Sequence, residues 1–202
     1  MKFTVRFLKN LTTNKEVKIV GITGAFGSGK STAASYLKDK GFESISLVSF
    51  LEEEAKKRGV RKITRRILQD IGNQWREEFG SDILAKKALK IIKDKKIKLA
   101  VVDGFRNPQE ILEFRKSKNF TLLGIVTDRK IRFDRLKKLK RREDLTWELF
   151  DKLDKRDLGL GQKDHGLHVA QCLAMSDAFI ENNEDLDKFK EKIDNFLKTY
   201  GK

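Results

Sequence analysis

One stretch of this chain, KIVGITGAFGSGKSTAASYL beginning at Lys18, constrains its fold more than any other. Gly24, Gly29, Lys30 and Ser31 satisfy G-x-x-x-x-G-K-[ST], a pattern short enough to arise by chance. Context gives it weight. A β-rich run, KIVGIT, leads in, and a helix-forming run, STAASYLKDK, leads out, which is the order a phosphate-binding loop requires. Glycines at 24, 27 and 29 let backbone N–H groups curl around a β-phosphate, and the helix amino end adds partial positive charge. Lys30 is then placed for the β- and γ-phosphates, and Ser31 for Mg²⁺. The expected nucleotide cradle runs through Gly24, Ala25, Phe26, Gly27, Ser28 and Gly29 to Lys30, Ser31 and Thr32. A glycine-rich turn before an ordinary helix needs neither that lysine nor that serine.

Around this loop, short β-branched runs alternate with longer helical patterns. Strands are expected over 17–23, 43–47, 99–102, 121–126 and 178–180. Two of them, LAVV and TLLGIV, are unbroken apolar runs, as where both faces of a sheet are covered. A helix over 30–40 ends at Gly41, one over 83–93 follows Ser81 and Asp82, and Asn107-Pro108 reads as a cap and first helical position. Leu186, Phe189, Ile193, Phe196 and Leu197 give a final helix its apolar stripe. The alternation predicts an α/β fold with helices on both faces of a mostly parallel five-stranded sheet. Two connections exceed a simple crossover: a helical excursion over about 48–97 and a shorter one over about 137–161. Residues 1–16 read as an N-terminal extension, an added edge strand, ahead of one domain over 17–202.

Composition narrows the setting. No run approaches the roughly 20 apolar residues of a membrane span. The first residues lack a signal peptide's unbroken apolar segment. One cysteine, Cys172, precludes an internal disulfide and fits a reducing, cytoplasmic setting. The balance of 45 Lys and Arg against 30 Asp and Glu, +15 in net charge, attracts anions without saying which. The stretch RKIRFDRLKKLKRR, over 129–142, holds nine of the basic residues against Asp134 alone. His165 and His168 are three apart, with no Cys/His cluster elsewhere to complete a metal site.

Asp103 closes the third strand in LAVVDGFRNPQE and is placed beside the phosphate loop, where it can hold Mg²⁺ or a Mg²⁺-bound water. Arg106 follows where strand carboxyl ends open into a ligand crevice, and its planar fork suits an anionic acceptor. In the first excursion Arg65, Arg66, Gln69, Asn73 and Arg76 recur at helical spacing, so several can face one ligand.

The segments GAFGSGKST, DGFRN and RFDRLKKLKRR together resemble the P-loop nucleoside monophosphate kinases of the adenylate kinase-like group, over nearly the whole chain after residue 16. In further detail, EEEAKKRGV, TRRILQDIGNQWREEFG and SDAFIENNEDLDKF resemble archaeal and bacterial dephospho-CoA kinase-like proteins, and DGFRNPQE resembles deoxynucleotide monophosphate kinases. The resemblance implies a three-layer αβα P-loop NTPase fold whose first excursion is an acceptor-binding arm and whose second is a lid. It implies Lys30, Asp103, Arg106, Arg142 and Arg156 as catalytic residues, and Arg135 as an arginine at the lid base near the donor. Acceptor contacts fall on Ser49, Arg65, Gln69, Asn73, Arg76 and Arg106, and metal contacts on Ser31 and Asp103. Where that group carries an arginine after its second strand, this chain has Ser49 and Glu52, so AMP is a poor match. The expected function is ATP- and Mg²⁺-dependent phosphoryl transfer to a small nucleotide acceptor, a nucleoside or deoxynucleoside monophosphate. A dephospho-CoA kinase-like enzyme is the alternative. A nucleic-acid-associated P-loop ATPase or polynucleotide kinase, suggested by the charge, is the reading from another class.

Overall fold

The computed structural model describes residues 17–139 and 144–200, so the expected extension over 1–16 lies outside the described residues. In chain order the elements are β1 (Lys18–Gly24), α1 (Lys30–Asp39), β2 (Glu43–Ser46), α2 (Leu47–Lys57), α3 (Arg65–Phe79) and α4 (Ile83–Asp94). There follow β3 (Leu99–Asp103), α5 (Pro108–Phe114), β4 (Phe120–Val126), α6 (Arg129–Leu139), α7 (Trp147–Leu158), α8 (Val169–Ala174), β5 (Ala178–Glu181) and α9 (Leu186–Tyr200).

The five strands form one sheet in the order β2-β3-β1-β4-β5, and every pairing is parallel rather than mostly so. Along each strand successive side chains feed opposite layers. Ile19, Ala100 and Val102 pack with α2 through α5 and with Cys172, while Val20, Ile22, Leu99 and Val101 pack with α1 and α9. Both faces are therefore covered, which is why these strands read as continuous apolar runs. A third, smaller cluster joins Leu145, Phe150 and Leu153 to Phe26, Phe133 and Leu136, away from the sheet.

Local signals set the boundaries. Asn107 accepts from the Gln109 N–H at 3.0 Å, Glu110 reaches back to the Asn107 N–H at 3.2 Å, and Pro108 occupies the first helical position, so α5 starts where expected. Thr64 and Thr146 cap α3 and α7. Of the expected final stripe, Leu186 stands half exposed at the helix start while the other four are buried.

The register positions the site. Ile22 pairs with Asp103 and Gly24 with Ile125, so the β1 turn leaves the sheet centre between the carboxyl ends of β3 and β4. Chain order reverses there, with β2 and β3 on one side of β1 and β4 and β5 on the other, which is where open α/β sheets form their crevice.

Candidate active site

The loop between β1 and α1 is held from both sides. Gly24 sits at φ 152° and Gly29 at φ 101°, in the half of backbone space that side chains disfavour. A Cβ at Gly24 would lie 2.5 Å from the Ile125 carbonyl oxygen, so the bend admits only glycine. The Ser28 carbonyl accepts from Asn182 Nδ2 at 2.8 Å and from Thr127 Oγ1 at 3.1 Å, tying the loop to the ends of β4 and β5. On its other side the Phe26 carbonyl accepts from Arg132 at 2.9 Å, and the Phe26 ring stacks on Phe150 with centroids 6.0 Å apart.

Lys30 is buried and donates to the Gly24 and Ala25 carbonyls at 2.7 and 2.9 Å. Burial first, then repulsion from Arg106 and Arg65, lowers its pKa to about 7, against the opposing pull of Asp157 and Asp103. Its cleft, about 260 Å³, is lined by Phe26 through Thr32, Ser46, Val48, Arg65, Asp103, Gly104 and Arg106, with Arg135, Leu136, Leu139 and Leu145 at one end. Arg135 donates to the Asn182 and Glu184 carbonyls at 2.9 and 3.2 Å, which fixes it at that end.

Arg65, at the first turn of α3, lays its guanidinium over the Phe26 ring at 3.7 Å. Arg106 donates to Asp157 Oδ2, and Arg65 lies 3.8 Å from the same oxygen. Burial alone would raise the Asp157 carboxyl, but Arg106, Arg65 and Lys30 outweigh it and hold the pKa below the usual aspartate value. Three cations and two carboxylates, from four parts of the chain (Lys30, Arg65, Asp103 with Arg106, and Asp157), thus meet at the phosphate loop.

Asp103 fits a divalent cation. It is buried, and its Oδ1 has no hydrogen-bond partner in a cleft that also exposes the Ser31 hydroxyl. A buried acceptor left open in this way is costly unless a ligand satisfies it. Bound there between Ser31 and Asp103, Mg²⁺ would supply neutralising charge for nucleotide phosphates.

Several expected acceptor contacts are placed differently. Gln69 and Arg76 line a narrow second cavity of about 30 Å³ that shares Val48, Arg65, Gly104 and Arg106 as a wall with the main cleft. Arg76 is fully buried and bonded to Glu110 at 2.8 and 3.0 Å, while the other Glu110 oxygen accepts from the Arg106 N–H at 2.8 Å. Arg76 therefore holds the turn that carries Arg106 instead of lining the main cleft. Ser49 donates to its neighbour Ser46 at 2.7 Å, and Ser46 takes its place in the cleft. Asn73 bonds Gln162 at 3.0 Å. Arg156, expected on the transferring group, bonds Asp70 at 2.6 Å and joins α7 to α3. Arg142 lies outside the described residues. Glu52 is not among the residues lining either cavity, so its charge does not face the cleft as expected.

Two arginines of the basic helix are engaged within the protein. Arg132 bonds Asp154 at 2.5 and 3.0 Å, and Arg129 bonds Asp151 and Asp154 at 2.6 and 3.1 Å. Asp151, Asp154 and Asp157 were missed by sequence reasoning, although their three-residue spacing on one helix face mirrors Arg129 and Arg132. Trp147 packs against Phe133 at 5.1 Å. His165 lies 3.8 Å from Glu77, and His168 Nε2 lies 2.9 Å from the Lys163 carbonyl. Among the described residues no His, Cys, Asp or Glu group gathers into a metal-sized cluster, and no helix is long and apolar enough to cross a membrane.

No protein-family model matches the chain. It is 33% identical over 184 residues to a UPF0200 protein of Methanocaldococcus jannaschii, covering 89% of this chain and 88% of that protein. It is 34% identical over 186 residues to a UPF0200 protein of Sulfurisphaera tokodaii, covering 90% and 97%. Among solved structures, shikimate kinase from Aquifex aeolicus superposes with a TM-score of 0.51 at 17% identity, covering 91% of this chain and 98% of that one. That likeness shows a shared P-loop kinase fold.

Proposed function

The chain belongs to the UPF0200 family, and we propose that its activity is ATP- and Mg²⁺-dependent transfer of a γ-phosphoryl group to a nucleoside or deoxynucleoside monophosphate. The observation that supports this most directly is the convergence of Arg65 and Arg106 on the cleft that contains Lys30 and Asp103. Phosphoryl transfer asks a protein for alignment and charge neutralisation more than for covalent chemistry. A monophosphate acceptor is already an anionic nucleophile, so two guanidiniums opposite the phosphate loop supply what it needs. Lys30 and the loop N–H groups bind the donor phosphates, and the apolar end at Leu136, Leu139 and Leu145 receives the donor base beside Arg135. Residues about 48–97, built of α2, α3 and α4, serve as the acceptor arm, and residues about 137–161, containing α7, serve as the lid.

A second reading has its own support. Asp103 lines the cleft, and its carboxylate, if not taken up by the metal, would suit a general base for a hydroxyl acceptor, as in a dephospho-CoA kinase-like reaction. ADP release from ATP, measured against each ribo- and deoxynucleoside monophosphate, dephospho-CoA and a 5′-hydroxyl oligonucleotide, separates the two. The expected result is turnover with a monophosphate, reduced about 100-fold or more by Lys30→Ala. Turnover confined to hydroxyl acceptors would overturn the monophosphate assignment in favour of the second reading.

A further inference from the structure

The residue at this site that the proposed chemistry leaves without a task is Asp157. Its side chain is fully buried on α7, yet it reaches the two arginines assigned to the acceptor. One oxygen, Oδ2, takes Arg106 and lies 3.8 Å from Arg65. The other, Oδ1, has no hydrogen-bond partner. Asp157 lines the narrow second cavity, as does Arg76, whose Nη1 is likewise buried without a hydrogen bond. The carboxylate thus sits where an acceptor phosphate would bind, and it has a second place to turn towards.

We propose that Asp157 is an internal stand-in for the acceptor phosphate: it occupies the Arg65–Arg106 anion site, yields it to a phosphate dianion, and so sets the site's selectivity. This rests on the assignment of Arg65 and Arg106 to the acceptor. A single carboxylate offers the two guanidiniums one negative charge and two oxygens. A phosphate monoester offers up to two charges and three terminal oxygens, a better match to two planar forks. An incoming carboxylate or other monoanion gains no such advantage over the resident one and is refused. A displaced Asp157 turns into the narrow cavity, towards the open nitrogen of Arg76, and remains compensated. Without this resident, Arg106 would lose its carboxylate and the site would bind anions with less discrimination.

The test is anion-dependent stability in Asp157→Asn. The amide keeps the shape and drops the charge, so the variant is expected to unfold several degrees below wild type in chloride buffer. Inorganic phosphate at the same ionic strength is expected to restore it saturably, by clearly more than the rise that its binding at the phosphate loop gives wild type. The variant's KM for a monophosphate acceptor should fall about tenfold, on the scale of one charge-assisted hydrogen bond. A merely structural aspartate would give a loss of stability that phosphate offsets by no more than its rise in wild type, with KM unchanged or raised, and that result would overturn the proposal. If Asp157→Asn is not recovered folded, Asp157→Ser leaves room for the anion itself. A phosphate-dependent gain in stability larger than wild type's supports the proposal, and a gain equal to wild type's, or none, overturns it. The acceptor assignment is judged separately. Phosphate rescue of the variant, with wild type phosphorylating only hydroxyl acceptors, would keep the anion site and discard the monophosphate. Monophosphate turnover without any phosphate rescue would do the reverse.

Discussion

Lys30 makes the cost of a phosphate site measurable in the protein by itself. Its ammonium is buried, and Arg106 and Arg65 add repulsion, so its pKa falls from 10.5 to about 7. Between those two values the unfolded chain binds more protons than the folded one, so stability rises with pH across that window. Below about 7 the destabilisation is complete, amounting to at most about 5 kcal/mol. Lys30→Met, which keeps the stem and drops the charge, is therefore expected to be more stable than wild type at neutral pH. Thermal melts should show that advantage shrinking as pH climbs towards 10.5, the ordinary lysine value. A wild-type stability curve that is flat over this range would show that the amine is not paying a burial cost.

At the scale of elements, α6 and α7 form a charged pair that steadies the phosphate loop. Arg132 reaches both the Phe26 carbonyl and the fully buried Asp154, so the basic helix, the acidic helix and the loop share one network. Asp154→Asn would leave Arg132 buried without this carboxylate, a change expected to cost about 3–5 kcal/mol and roughly 10 °C in melting temperature. Asp151→Asn removes a partly exposed partner of Arg129 and should lower the melting temperature far less. Equal, small shifts in the two melts would refute the network. The strands, the loop and the α5 cap were legible in the sequence because each is encoded by neighbours: alternation, glycine spacing, and Asn-Pro followed by glutamate. The α6–α7 pairing was not legible, because its partners stand 22 and 25 residues apart and each side reads locally as a solvated helix face. For the same reason Arg76 and Arg156 looked available for substrate. Helical spacing shows which residues share a face, but not that Glu110 and Asp70 already face them.

For the molecule as a whole, the question is what +15 of net charge attracts. The arginines nearest the site are matched internally by Asp154, Asp157 and Glu110, so they add little to the outward field. Exposed basic side chains also stand elsewhere: Lys56 and Lys57 at the end of α2, Arg61 and Lys62 in the connection that follows it, and Lys87 and Lys93 along α4. Nucleic acid bound in register needs more than charge, since single strands are held by bases stacked on exposed aromatic faces beside a basic track. Among the described residues the exposed aromatics Phe79, Trp147, Phe179 and Tyr200 belong to four separate elements, and Trp147 already packs on Phe133. RNA is therefore expected to bind at about 50 mM salt, to be released by about 200 mM, and to leave ATP affinity unchanged. Filter binding across that range, with and without ATP, measures all three. Retention at the higher salt, or competition by ATP, would mean that the cleft accepts a polynucleotide end and that the small-nucleotide assignment fails. Release without competition would mean that the surface charge acts only as a diffuse field, which raises the local concentration of anionic substrates while Arg65, Arg106 and Asp157 choose among them.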